Sequence, residues 1–185
     1  YLEAFPGQLQ DLLEQNPSLL EVIRVDAQAH LLANASQVQN PVLDLLFTSA
    51  QANWFQTAQR GERYIGSLQI AANNEPYLIL SVPSRDGGAV AGRLSMDLLW
   101  QVVAESRFGQ SGLVYVVDSN NGQMIAHPDP AVALQYTQIT GRPELNVALQ
   151  TTGHEWNGRY TNFAGQAVLG GSLPIQGANW LVFAE

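Results

Sequence analysis

Three strand-like runs, residues 64–71, 77–82 and 89–96, follow one another with only Asn73-Asn74-Glu75-Pro76 and Arg85-Asp86-Gly87-Gly88 between them. Both links are turn sequences and too short to hold a crossover helix, so the runs must pair antiparallel as a meander. The same order recurs at 158–163, 167–174 and 180–184, with Gly165 and Gly177 in the turns. A hairpin precedes each meander. In the first half a β-branched run at 20–26 faces Leu31-Leu32-Ala33; in the second, 112–118 returns through Asn120-Asn121-Gly122 to 123–127. Val25-Asp26 matches Val117-Asp118, Arg63-Tyr64 matches Arg159-Tyr160, and Pro83 matches Pro174, at spacings of 91 to 96 residues. That shared order predicts tandem copies of one module. Two copies are too few for a solenoid.

Helical signals fill the gaps. Leu9, Leu12 and Leu13 lie on one helical face over 8–15, and Asn16-Pro17 ends it. From Pro41 to about Arg60, Leu45, Leu46, Phe47, Trp54, Phe55 and Ala58 predict one or two helices, stopped at Gly61. Asp97 suits the cap of a helix running to about Arg107 on Leu98, Leu99, Val102 and Val103. Residues 141–150 read as partly helical. The expected architecture is α+β, each module a five-stranded antiparallel sheet with helices on one face.

Composition narrows the chemistry. An apolar content of 46% supports a packed core. The net charge of −8 argues against a nucleic-acid partner. With no cysteine, thiol catalysis, disulfides and cysteine zinc sites are excluded. All eight cationic residues are arginine, which excludes Schiff bases and phosphate loops that need lysine. No run of ~18 apolar residues spans a membrane. No Gly-x-Ser-x-Gly elbow occurs, and His127-Pro128-Asp129 is two ligands short of a metal site. Neither a catalytic residue, a metal site nor a cofactor is expected.

Several stretches carry a family resemblance: Ala52-Asn-Trp54-Phe55-Gln-Thr-Ala58, Glu75-Pro-Tyr-Leu-Ile-Leu-Ser-Val-Pro83, Gly92-Arg-Leu-Ser-Met-Asp97, Gly112-Leu-Val-Tyr-Val-Val-Asp118, Gly122-Gln-Met-Ile-Ala-His-Pro-Asp129 and Gly177-Ala-Asn-Trp180-Leu-Val-Phe-Ala-Glu185. In this order they resemble the double-Cache (dCache) extracytoplasmic sensor domains of bacterial transmembrane receptors. The resemblance implies two tandem PAS-like modules after an N-terminal helix. Residues 1–106 would hold the end of that helix and the membrane-distal module, and 107–185 the membrane-proximal module. It also implies a periplasmic domain of an inner-membrane protein, flanked by membrane helices, homodimeric in the full receptor. The output would be a histidine kinase, a chemoreceptor or a cyclic-nucleotide enzyme, and the sensor domain itself would not be an enzyme.

One branch of the family binds amino acids through an arginine, a tryptophan, a tyrosine and a later aspartate. Trp54 matches the tryptophan, but Phe55 stands for the tyrosine, Ala52 for the arginine and Arg93 for the aspartate. The resemblance therefore implies a small polar or anionic ligand in the distal module, not an α-amino acid. Its expected contacts are Trp54, Phe55, Tyr64, Ser67, Tyr77, Arg93 and Ser95. Each also has a plainer reading. Trp54 and Phe55 fit a helix core, and the alternation around Arg93 fits a solvated sheet face, or a guanidinium held by an internal acid such as Glu62 or Asp97. A ligand-free interaction module that reads a periplasmic partner stays open as the alternative function.

Overall fold

A computed structural model describes residues 6–38, 51–71, 73–106, 112–135, 138–151 and 155–185. The chain divides into two compact units, Tyr1–Asp97 and Leu98–Glu185.

In the N-terminal unit, helix α1 (Pro6–Gln15) leads into the hairpin β1 (Leu19–Val25) and β2 (Leu31–Ser36). The helical stretch expected from Pro41 lies outside the described residues up to position 50. Its end is α2 (Asn53–Gln59), which stops at Gly61 with φ of 81°. Then come β3 (Tyr64–Ile65), β4 (Gln69–Ile70), β5 (Pro76–Pro83) and β6 (Ala89–Ser95). All pair antiparallel in the order β2-β1-β6-β5-β3, with β4 also on β5. The sheet therefore has six strands where five were expected. The run 64–71 does not continue as one strand: the Gly66 N–H still bonds the Ile79 carbonyl of β5 at 2.8 Å, and Ser67-Leu68 then leaves the ladder before β4, with Leu68 turned into the core.

Helices cover both faces of this sheet, not the single face expected. On one side Leu9 and Leu13 of α1 pack on Val22 and Val90. On the other, Trp54, Phe55 and Ala58 of α2 pack on Ile23, Val25, Tyr77, Ile79, Ala89 and Ala91. The cause lies in the strands. β5 and β6 are apolar on both phases of the pleat, and such strands need cover on both faces.

The C-terminal unit opens with α3, whose helix Asp97–Glu105 begins at the division, and continues with β7 (Val114–Asp118) and β8 (Met124–Ala126). Two short helices follow, α4 (Pro130–Leu134), capped by the Asp129 carboxylate on the Ala131 amide at 3.0 Å, and α5 (Pro143–Gln150). The meander β9 (Trp156–Thr161), β10 (Ala167–Ile175) and β11 (Trp180–Ala184) completes it. Strand order is β8-β7-β11-β10-β9, which repeats the order of the first sheet: the last strand of each meander pairs with the first strand of its hairpin. Tyr115 and Phe183 stack at 5.1 Å in the core, and the Trp100 indole N–H donates to the Ile125 carbonyl at 2.8 Å, tying α3 to β8.

Candidate functional site

Register decides what the N-terminal sheet presents to α2. Glu21 lies opposite Arg93 and Ile79 lies opposite Arg93 on its other side, so the phase Glu21, Ile23, Val25 joins the phase Arg93, Ala91, Ala89 and the phase Tyr77, Ile79, Ser81. This is the face that α2 covers. The Ser81 hydroxyl donates to the Trp54 carbonyl at 2.7 Å and pins the helix to β5. Trp54 and Phe55 meet edge to face at 5.5 Å, and Tyr64 packs against the same cluster.

Arg93 sits inside this layer, not on a solvated face. Its Nη1 donates to Glu21 Oε1 at 2.9 Å, and the two side chains are 4% and 1% exposed. The guanidinium lies over the Tyr77 ring at 4.3 Å, and the Tyr77 hydroxyl donates to Gln69 Oε1 at 2.8 Å. Arg93 Nε is buried with no hydrogen-bond partner among the described residues. The internal acid is thus Glu21. Glu62 and Asp97 do not serve: Glu62 is exposed beside Arg60 at 3.5 Å, and Asp97 is exposed at the start of α3. Burial pushes the Tyr64 phenol up, which keeps it a neutral donor and acceptor at physiological pH.

Of the residues expected from sequence, Trp54, Phe55, Tyr64, Tyr77 and Arg93 come together on one face of one sheet. Ser67 is exposed in the break between β3 and β4. Ser95 is half-buried opposite Tyr77, and its hydroxyl accepts the Asp97 N–H at 3.1 Å, so it helps start α3. Sequence reasoning missed Glu21. The available signal was an acid in phase with Ile23 and Val25 on a strand otherwise read as apolar.

The C-terminal unit holds a second buried polar group. On one sheet face Tyr160 donates to Glu185 Oε2 at 2.7 Å and Asn162 Nδ2 donates to Glu185 Oε1 at 2.6 Å. Tyr115 reaches Glu185 Oε2 at 3.4 Å. Gly170 makes room for this: a Cβ there would stand 2.9 Å from the Glu185 Cβ and 3.0 Å from the Tyr160 hydroxyl. His127, between Tyr115 and Phe163, is held below its usual range by burial. Among the described residues, no three histidines or carboxylates are placed to hold a metal ion.

The family model described as Cache domain (dCache_1) matches residues 3–185. No curated protein sequence matches the chain. Solved structures with a similar fold include an extracellular domain assigned to the histidine kinase mmHK1S-Z2, at TM-score 0.72 and 13% identity, covering 96% of this chain and 78% of that one. The ligand-binding domain of the Pseudomonas aeruginosa PAO1 amino-acid chemoreceptor PctC, in complex with GABA, aligns at TM-score 0.66 and 15% identity over 100% of this chain and 82% of that one. The ligand-binding domain of the Pseudomonas fluorescens chemoreceptor CtaA, in complex with L-serine, aligns at 0.60 and 18% over 97% and 79%.

Proposed function

Because the chain belongs to the Cache domain family, whose model matches residues 3–185, we propose that it is the extracytoplasmic sensing part of a transmembrane receptor, with its ligand in the N-terminal, membrane-distal module. In this reading the two units are tandem modules, the receptor is a homodimer in the inner membrane, and the chain itself carries out no catalysis. Output through a kinase, a chemoreceptor or a cyclic-nucleotide enzyme fits equally.

One observation carries the site: an ion pair, Arg93–Glu21, buried against the Tyr77 ring on the sheet face that α2 covers with Trp54 and Phe55. Such a pair is a poor way to stabilise a core, since apolar residues of the same volume do at least as well. Its value lies in offering a fixed cation and a fixed anion to a polar molecule in a layer that excludes water. The ligand is a small polar molecule with a carboxylate or another strong acceptor for the Arg93 guanidinium. Trp54, Phe55, Tyr64 and Tyr77 pack its apolar part, and Ser67 and Ser95 lie at the margin. The PctC and CtaA domains hold GABA and L-serine, which supports a ligand of this size and polarity.

The same pair also favours the alternative, a module that needs no ligand, because Glu21 already satisfies part of the guanidinium. A thermal-shift screen of small carboxylates and zwitterions separates the two. A ligand at 100 times its Kd adds ~2.7 kcal/mol of stability, a rise of several degrees in Tm. No shift with any carboxylate or zwitterion at millimolar concentration selects the ligand-free module.

A further inference from the structure

The C-terminal unit contains a buried acid with no hydrogen-bond partner among the described residues. Glu144 stands in the first turn of α5 and is 0% exposed, yet among those residues nothing bonds either carboxylate oxygen. A carboxylate is a pure acceptor when ionised, and leaving one buried and unmet is among the costlier things a core can do. Arg142, exposed at the start of α5, acts on it through space but does not bond it. Within electrostatic reach of Glu144 are Tyr115, Tyr160 and Glu185, the members of the buried network described above. α5, which carries Glu144, packs against β9, the strand of Tyr160, so this region gathers two carboxylates, and the Tyr115, Tyr160 and Asn162 donors are already spent on Glu185. His127, the remaining titratable group against Tyr115, is disfavoured as a cation by its burial.

The surroundings say what kind of group is missing. It must donate hydrogen bonds, because the open positions are acceptors. A positive charge meets both acids at once and lets Glu144 give up the proton that its burial alone makes it hold. Trp156 and Tyr160 lie side by side on β9 at 5.4 Å, with Gly158 between them, and Tyr115, Phe163 and Phe183 form a second aromatic wall. Aromatic faces beside carboxylates are the chemistry that receives an ammonium group. A bare divalent ion fits poorly, since it wants more oxygen ligands than two carboxylates supply. Tyr160 itself is only half-buried, so the network meets solvent at that end.

We propose that the C-terminal unit carries a second ligand site, for a small molecule bearing a protonated amine, held between the Glu144 and Glu185 carboxylates against Trp156, Tyr160 and Tyr115. This site is independent of the one on the N-terminal sheet and has the opposite charge preference.

Titration calorimetry on the whole 185-residue domain tests it, with ethylamine, ethanolamine and putrescine as probes, and ethanol, 1,4-butanediol and acetate as uncharged or anionic counterparts. At least one amine binds at millimolar concentration or below, while its counterpart does not. Glu144→Gln weakens that amine tenfold or more, and Tyr160→Phe, which removes one hydroxyl, weakens it severalfold. The paired substitution Glu21→Leu with Arg93→Met, confined to the N-terminal unit, leaves it unchanged. If Glu144→Gln does not fold, the Tyr160→Phe comparison carries the test alone. Three silent amines overturn the proposal, as does amine binding that neither Glu144→Gln nor Tyr160→Phe weakens. Binding lost in the Glu21/Arg93 double variant would move the amine to the N-terminal sheet and overturn it as well.

Discussion

Removing Glu21 should be one of the most damaging single changes in the N-terminal unit. Both partners of the Arg93–Glu21 pair are almost fully buried, at 4% and 1% side-chain exposure, so water cannot replace the lost carboxylate. Arg93 Nε already lacks a hydrogen bond among the described residues, and Glu21→Leu would leave Nη1 without its acid as well. Breaking a buried pair from one side costs ~3–5 kcal/mol, because the surviving charge stays in the core uncompensated. Arg93→Met should cost about as much, for the mirror reason, and also removes the cation from the Tyr77 ring. The double substitution Glu21→Leu with Arg93→Met removes both charges and should lie within ~1 kcal/mol of the natural protein. Urea unfolding followed by tryptophan fluorescence reads this directly. With a slope of ~2 kcal/mol/M, each single variant loses roughly 1.5–2.5 M in midpoint, and the double recovers most of it. If Glu21→Leu moves the midpoint by less than ~0.5 M, the guanidinium does not depend on Glu21 and the reasoning fails.

Other outcomes follow from single contacts. Ser81→Ala should cost ~1 kcal/mol in a chemical denaturation series, because it deletes a buried donor to the Trp54 carbonyl. Gly170→Ala should cost ~1–3 kcal/mol by overpacking, since its Cβ would sit 2.5 Å from the Ala184 carbonyl oxygen, and crystallography should show β10 and β11 pushed apart. Glu144 has its pKa raised, first of all by desolvation, so the folded state holds its proton to higher pH than the unfolded chain does. Its contribution to stability is therefore most favourable below the unfolded carboxylate range near pH 4.5 and declines as pH rises toward the folded pKa. In amine-free buffer Glu144→Gln should flatten that part of the stability–pH curve. An unchanged slope just above pH 4.5 would contradict the assignment.

The parts of the fold that chain chemistry fixes locally were readable in advance. Asn73-Asn74-Glu75-Pro76 and Arg85-Asp86-Gly87-Gly88 set the meander, Asn120-Asn121-Gly122 sets a hairpin, and Gly61 ends α2. What local pattern cannot carry is which strand lies beside which. β1 pairs with β6 across the whole unit, and only that pairing brings Glu21 to Arg93, 72 positions away. A strand with charge in its apolar phase signals a buried acid but not its partner. The same limit hid the C-terminal network. Glu144, Glu185 and the Tyr160–Asn162 pair come from three separate parts of the chain, and only the i, i+2 spacing of Tyr160 and Asn162 marks any of them as neighbours. The short break was hidden differently: Tyr64 to Ala71 reads as one strand, and the departure at Ser67-Leu68 accompanies the burial of Leu68.

The central claim is that the N-terminal sheet face under α2 receives the sensed molecule. A crystal structure of the domain with the strongest carboxylate from the thermal-shift screen tests this most directly. The account predicts density for the molecule against Tyr77 and Trp54, with an acceptor atom within 3.2 Å of the Arg93 guanidinium, at about ordinary hydrogen-bond distance. Density for that molecule on the C-terminal sheet or the outer surface, with the Arg93–Glu21 layer closed as it stands, would contradict it.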